Sequence, residues 1–357
     1  FHTQQNQSLF GAVGDSAPDR WGRVLMRRAN AQLAKNKQET PKTLLEIDYL
    51  LGVSDAARSG ALRFAEDISG PFLSEKASIP PIVELPQLLS VTERYLEDEE
   101  SEDDLKLLLA PGSSLGGARP KASVLDNDGS LSIAKFPKHD DEYNVVVWEY
   151  IAHILAKKAG LNVSSSRIET ILNKPVLILR RFDRDQQKRI PFLSALSMLG
   201  AKDNDFHSYL EMVYALAQHG AHPNKDMAEL WRRIVFSIMI SNTDDHLRNH
   251  GFLYERQVGW KLSPAYDLNP VPTDIKARLL TTAIDFEDNT ASLDLALSVI
   301  DDFRLSLERA KEIIREVVSA TKQWRKLASS KGLSNHEIER MSSAFEHEDF
   351  EKANSLL

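Results

Sequence analysis

The chain has 357 residues, 42% of them hydrophobic and 27% charged; at roughly 150 residues per domain this supports about two globular domains and argues against a disordered, collagen-like or membrane-embedded chain. Its 52 acidic against 44 basic side chains leave a formal charge of -8, which argues against charge-driven nucleic-acid binding as the main activity and leaves DNA contact to a local basic patch or a DNA-binding partner. No cysteine occurs, so disulfides, thiolate metal sites and cysteine nucleophiles are excluded, and a reducing cytoplasmic setting is compatible.

The apolar run 234–240, interrupted by Ser237, falls far short of the roughly 20 residues that cross a bilayer, so no membrane partner is expected. Phe1 stands where a Met would, with no charged-then-apolar leader after it, and the natural product is expected to start further upstream. Residues 15–35 read as a helix with Asp15 or Ser16 as cap, Pro18 in the first turn and an apolar stripe of Trp21, Val24, Leu25 and Leu33. A second helix is expected over 43–51, a short strand over 60–64 and a stiff connector at Ile79-Pro80-Pro81. The acidic run 97–104 reads as hydrated helix end or loop and marks a domain boundary.

After Pro111 a flexible loop, Gly112 through Gly117, precedes two apolar runs joined by Asp126-Asn127-Asp128-Gly129, the pattern of a β-hairpin. An amphipathic helix over 144–158 stops at Gly160, and strands over 167–172 and 176–182 are joined at Asn173-Lys174-Pro175. Beyond Arg184 helices dominate, over 205–218, 225–241, 298–326 and 334–357, with one strand-rich interruption over 251–262. The expected organisation is a mixed subdomain over 1–105, a small β-rich lobe over 106–184 and a helical lobe over 185–357.

Asp244 followed five positions later by Asn249 has the D-x-x-x-x-N spacing in which an aspartate takes a hydroxyl proton and an asparagine holds magnesium. Asp267, after the hairpin, supplies a second hard oxygen ligand, and magnesium needs only one or two protein groups beside phosphate and water. Upstream, Lys135 on a strand and Glu149 on the next helix match a phosphate-binding lysine and its orienting carboxylate, with Lys121 as a rival. Gly112, Gly116 and Gly117 let backbone N–H groups approach phosphate closely, although the loop is neither G-x-G-x-x-G nor a Walker motif. If 242–250 were one helix, His246 and His250 with Asp244 could instead bind a transition metal; Asn242, Asn249 and Gly251 favour a loop.

The blocks SSLGGARPKASV (113–124), IAKFP (133–137), WEYIAHILAKKAGLNV (148–163), RRFDR (180–184), NTDDHLRNHGF (242–252) and LSPAYDLNP (262–270) together resemble the HipA-like serine/threonine kinases of bacterial toxin–antitoxin systems, as does the opening LFGAVGDSAPDRWGR. The resemblance implies an α+β, bilobed protein-kinase-like fold with a small β-rich N-lobe and a mainly helical C-lobe. It implies ATP and Mg2+ as cofactors, Asp244 as catalytic residue, Asn249 and Asp267 as metal ligands, and Lys135, Glu149, Ser114, Gly116, Gly117 and His246 around ATP. Arg180, Arg181 and Phe182 resemble the hinge that holds adenine, and Ser114, or its neighbour Ser113, lies where the family autophosphorylates its loop. It further implies a protein substrate in translation such as an aminoacyl-tRNA synthetase, and a helix-turn-helix antitoxin as partner. The strand-rich segment that opens full-length members would precede Phe1, so the resemblance implies a longer chain or a separate small protein of a split system. A small-molecule phosphotransferase and a nucleotide-binding co-repressor scaffold are the alternatives.

Overall fold

The structure, a computed structural model, describes residues 9–75, 78–112, 117–186 and 188–356. It divides the chain into two compact units, Phe1–Glu142 with Ser165–Leu193 and Tyr143–Ser164 with Ser194–Leu357. This differs from the expected three-part division: no break falls at 105, and the helix Val145–Lys158 belongs to the second unit rather than with the sheet.

The first unit is built on an antiparallel sheet of β1 (Lys121–Leu125), β2 (Leu131–Lys135), β3 (Ser166–Ile171) and β4 (Lys174–Arg180), in the order β1-β2-β4-β3. The Asp126–Gly129 turn closes β1 on β2, with Gly129 at φ 76° and its N–H donating to Asp126 O. Leu172 and Asn173, both at positive φ, form the two-residue turn between β3 and β4, whose twist suits a tight hairpin. That turn lies one residue earlier than the prolyl junction suggests.

Strand alternation puts Ala122, Val124, Ala134, Phe136, Val176 and Ile178 into one core with Trp21, Leu25, Leu88 and Tyr95. The helices Arg20–Lys37, Leu85–Leu96 and Glu102–Gly112 supply the latter face. The acidic run is the joint between two of these helices and not a boundary. Asp104 pairs with Arg94 and accepts from Ser101 N–H, Glu100 pairs with Arg28, and the carboxylates of the first turn complement the helix dipole. The expected strand over 60–64 does not form. Gly60, at φ 68°, instead donates its N–H to Asp183, and the nearby pairing is an isolated bridge between Ala65 and Phe72.

In the second unit Asn144 caps the helix Val145–Lys158 by accepting from Val147 N–H, and Trp148 is fully buried against Trp324 and Phe345. Ser208 and Glu211 form a capping box on Tyr209–His219, while Pro223 opens the buried helix Pro223–Met239. The helix expected over 298–326 is interrupted: Ser306 caps Leu307–Thr321, and Trp324–Ser330 follows as a separate helix. The C-terminal segment is likewise three short helices, Asn335–Arg340, Ser342–Phe345 and Glu348–Asn354, the last capped by the His347 side chain. The hairpin Gly251–Glu255 and Gly259–Leu262 forms as expected. Gly259 is required there, since a Cβ would come within 2.7 Å of His219 O. Among the described residues no helix is long and apolar enough to cross a membrane.

Candidate active site

The helix Pro223–Met239 runs out at Ser241, whose φ of 49° turns the chain into the segment 242–249. Asn249 donates from Nδ2 to Asp244 O at 3.0 Å, and His246 N–H reaches the same carbonyl, so residues 244–249 close on themselves as a compact loop. Nδ2 is committed to that carbonyl, and the other end of the Asn249 amide, Oδ1, is a hard oxygen donor of the kind magnesium prefers. Asp244 is exposed, whereas Asn249 is buried.

A second segment is pinned to the first. Tyr266 Oη donates to Arg248 O at 2.7 Å, Asn269 N–H to Asn242 Oδ1 at 3.2 Å, and Val271 N–H to Ser241 O at 3.2 Å. Asp267 sits between these ties at φ 59°, a conformation an aspartate tolerates better than most side chains. The structure therefore brings Asp244, Asn249 and Asp267 onto two cross-linked segments of one unit.

The loop is also held from beneath, by residues the sequence did not single out. Asp245 is buried and accepts from Tyr209 Oη at 2.5 Å, and His250 Nε2 approaches it to 3.0 Å. Burial pushes the Asp245 carboxyl up, but His250 and Tyr209 outweigh it and leave it below the usual range; burial and Asp245 push the Tyr209 phenol well above its own. Thr282 Oγ1 donates to Asp245 O, and Thr281 donates from both N–H and Oγ1 to Thr243 O. The only sequence signal for this support is the doubled acid at 244–245, which reads equally as a solvated turn.

His246 and His250 do not make a metal pair. His250 is buried against Asp245, residues Leu247–Asn249 form a 3-10 turn, and no cluster of three or more His, Cys, Asp or Glu able to hold a metal occurs among the described residues. His246 Nδ1 is buried with no hydrogen-bond partner among the described residues. Glu149 is buried on the helix Val145–Lys158 of this same unit.

In the sheet unit, Lys121 and Lys135 are directly opposed across β1 and β2. They share the face away from the core, so strand register alone does not choose between the two lysines. Gly117, at φ 75°, lies against Lys121: a Cβ there would come within 2.8 Å of Lys121 Nζ. Its N–H donates to Asp19 and its carbonyl accepts from Trp21 N–H, so the N-terminal helix clamps this end of the loop. Ser113, Ser114 and Gly116 lie outside the described residues.

At the expected hinge, Arg180 N–H donates to Ser165 O and Arg181 N–H to Leu131 O, so the sheet engages both donors. The Arg181 guanidinium is buried and bonds Asp183 and Ala57 O, Arg180 is exposed beside Asp128, and the Phe182 ring packs on Phe192.

Residues 113–325 match the family model of the HipA-like C-terminal domain. The chain belongs to the HipA-like family. The serine/threonine-protein kinase toxin HipA of Shewanella oneidensis is 24% identical to this HipA-like chain over 222 residues, 54% of the chain and 48% of that protein. The chain spans about half the length of the curated relatives it matches. Among solved structures, HipA from the Shewanella oneidensis complex of HipA, HipB and operator DNA aligns with a TM-score of 0.62 at 17% identity, covering 94% of this chain and 84% of that one. The Helicobacter pylori proinflammatory kinase CtkA aligns with a TM-score of 0.50 at 18% identity, over 66% of this chain and 90% of that one. Both establish the α+β kinase-like fold of this HipA-like protein, as its sequence blocks lead one to expect.

Proposed function

We propose that this HipA-like chain is an ATP- and Mg2+-dependent serine/threonine protein kinase that acts as the toxin of a toxin–antitoxin pair. The observation that carries the reading is the Asn249 amide bonded to Asp244 O, with Asp267 on a segment tied to the same loop at three points. Bound magnesium would neutralise charge on the phosphates. Asn249 Oδ1 and the Asp267 carboxylate are the oxygen donors that would hold it. Lys135, with Lys121 as its neighbour on the sheet, is the cation that would bind ATP's phosphates. Asp244 takes the proton of the acceptor hydroxyl as that oxygen bonds the γ-phosphorus; the bond from γ-phosphorus to its bridging oxygen breaks, and ADP leaves with the electron pair.

The acceptor in this reading is a serine of a translation protein such as an aminoacyl-tRNA synthetase. Control comes from autophosphorylation at Ser113 or Ser114, which adds nearly two negative charges where ATP's own phosphates belong. The solved relative with HipB and operator DNA supports a helix-turn-helix antitoxin as partner and DNA contact through it. The test incubates the full chain with Mg-ATP and maps phosphopeptides. An 80-dalton increment on the 113–116 loop in the wild type, absent in Asp244→Asn, is expected; equal labelling of both proteins refutes the assignment of Asp244.

A further inference from the structure

From the geometry around Asp244 we infer that Lys276 is a further catalytic residue, an ammonium that contacts the phosphoryl group during its transfer; the inference rests on the kinase reading above. Lys276 lies in the loop after Asp267, outside every motif singled out in the sequence. Its Nζ donates to Thr243 O at 3.0 Å, reaches Thr281 Oγ1 at 3.4 Å, and lies 4.0 Å from Asp244 Oδ1.

An ordinary surface lysine holds an acid loosely, and such a pair is worth little. This one is anchored to the backbone of the residue just before the candidate base, on a carbonyl that Thr281 also grips through N–H and Oγ1. Two of its three N–H donors are therefore directed at fixed oxygens. The third faces a carboxylate that, at 4.0 Å, is too distant for a direct hydrogen bond. A gap of that width accommodates one oxygen within bonding distance of both groups. In the reaction Asp244 must reach the acceptor oxygen, and the non-bridging oxygens of the phosphorus being attacked lie immediately beside it. Lys276 is thus placed where negative charge develops as the acceptor O–P bond forms, the bond to the departing ADP breaks and the proton passes to Asp244. A preorganised cation there stabilises the transition state more than the ground state.

The experiment compares wild type, Lys276→Met, Lys276→Arg and Asp244→Asn of this chain, with folding checked by circular dichroism. Steady-state transfer is measured alongside calorimetric affinity for Mg-ADP with and without aluminium fluoride, a mimic of the phosphoryl group in flight. Lys276→Met is expected to lower kcat on the order of 100-fold, with KM for ATP within about threefold. It is expected to weaken binding of the fluoride adduct by a similar factor while leaving Mg-ADP affinity unchanged, and Lys276→Arg is expected to restore part of both. Unchanged kcat and adduct affinity in Lys276→Met overturn the inference, as does an equal loss of Mg-ADP affinity, which would make Lys276 a ground-state ligand. A wild type that neither transfers phosphate nor binds Mg-ADP overturns the kinase reading itself, a result distinguishable from failure of Lys276 alone.

Discussion

Replacing Asp183 by Asn removes the charge at the centre of a buried clasp in the sheet unit while keeping the side chain's shape. Asp183 accepts from Arg181 Nε at 2.8 Å and Nη2 at 2.5 Å, from Arg184 Nη1 at 2.8 Å and from Gly60 N–H at 2.8 Å. Burial pushes its carboxyl up, but Arg181 and Arg184 outweigh that and hold it at about 2. Against an ordinary value near 3.9, this corresponds to about 2–3 kcal/mol of stability at neutral pH. The sign follows from the lowered value: the contribution is complete above pH about 4 and is lost as pH falls through about 2. Mutation does more than protonation, because it leaves two buried guanidinium groups without their counter-charge, and the loss from breaking such a cluster is about 3–5 kcal/mol. Hydrogen exchange followed by mass spectrometry reads the unit's own peptides, β1 to β4 included, and Asp183→Asn should raise their opening by that amount at pH 7. Protection within about 1 kcal/mol of the wild type would refute the reasoning and mean that solvent compensates the freed arginines.

Two further outcomes follow from the second unit. Trp148 is fully buried, donates from Nε1 to Glu337 and packs on Trp324 and Phe345, so Trp148→Ala should cost about 3–5 kcal/mol in urea unfolding. Burial, reinforced by Arg278, pushes His347 down to about 4. The folded protein therefore resists a proton that the unfolded chain accepts, and stability should decline as pH falls from about 6.5 to about 4; His347→Gln should flatten that part of a melting-temperature profile.

Local chemistry made several elements legible in the sequence. The Asp126–Gly129 turn, the helix ending at Gly160 and the hairpin over 251–262 all follow from residues that interact within a few positions of one another. The D-x-x-x-x-N loop was legible for the same reason, since Asn249 bonds the carbonyl of Asp244 only five residues away. The failures share a cause as well. The strand expected over 60–64 gave way because Gly60 finds its partner in Asp183, and the acidic run lost its role as a boundary because Arg28 and Arg94 reach back to it.

What the sequence by itself determined was the set of groups: the acids at 244 and 267, the amide at 249, the paired lysines and the family blocks that order them. What only tertiary structure decided was how they are aimed. Strand register set Lys121 opposite Lys135, ties from Tyr266 and Asn269 bound the Asp267 segment to the loop, and Thr243 O drew Lys276 to the carboxylate of Asp244. The physical reason is distance along the chain: capping, turn formation and alternation act over a handful of residues, whereas these contacts join positions more than ten apart and leave no local pattern in the residues that make them.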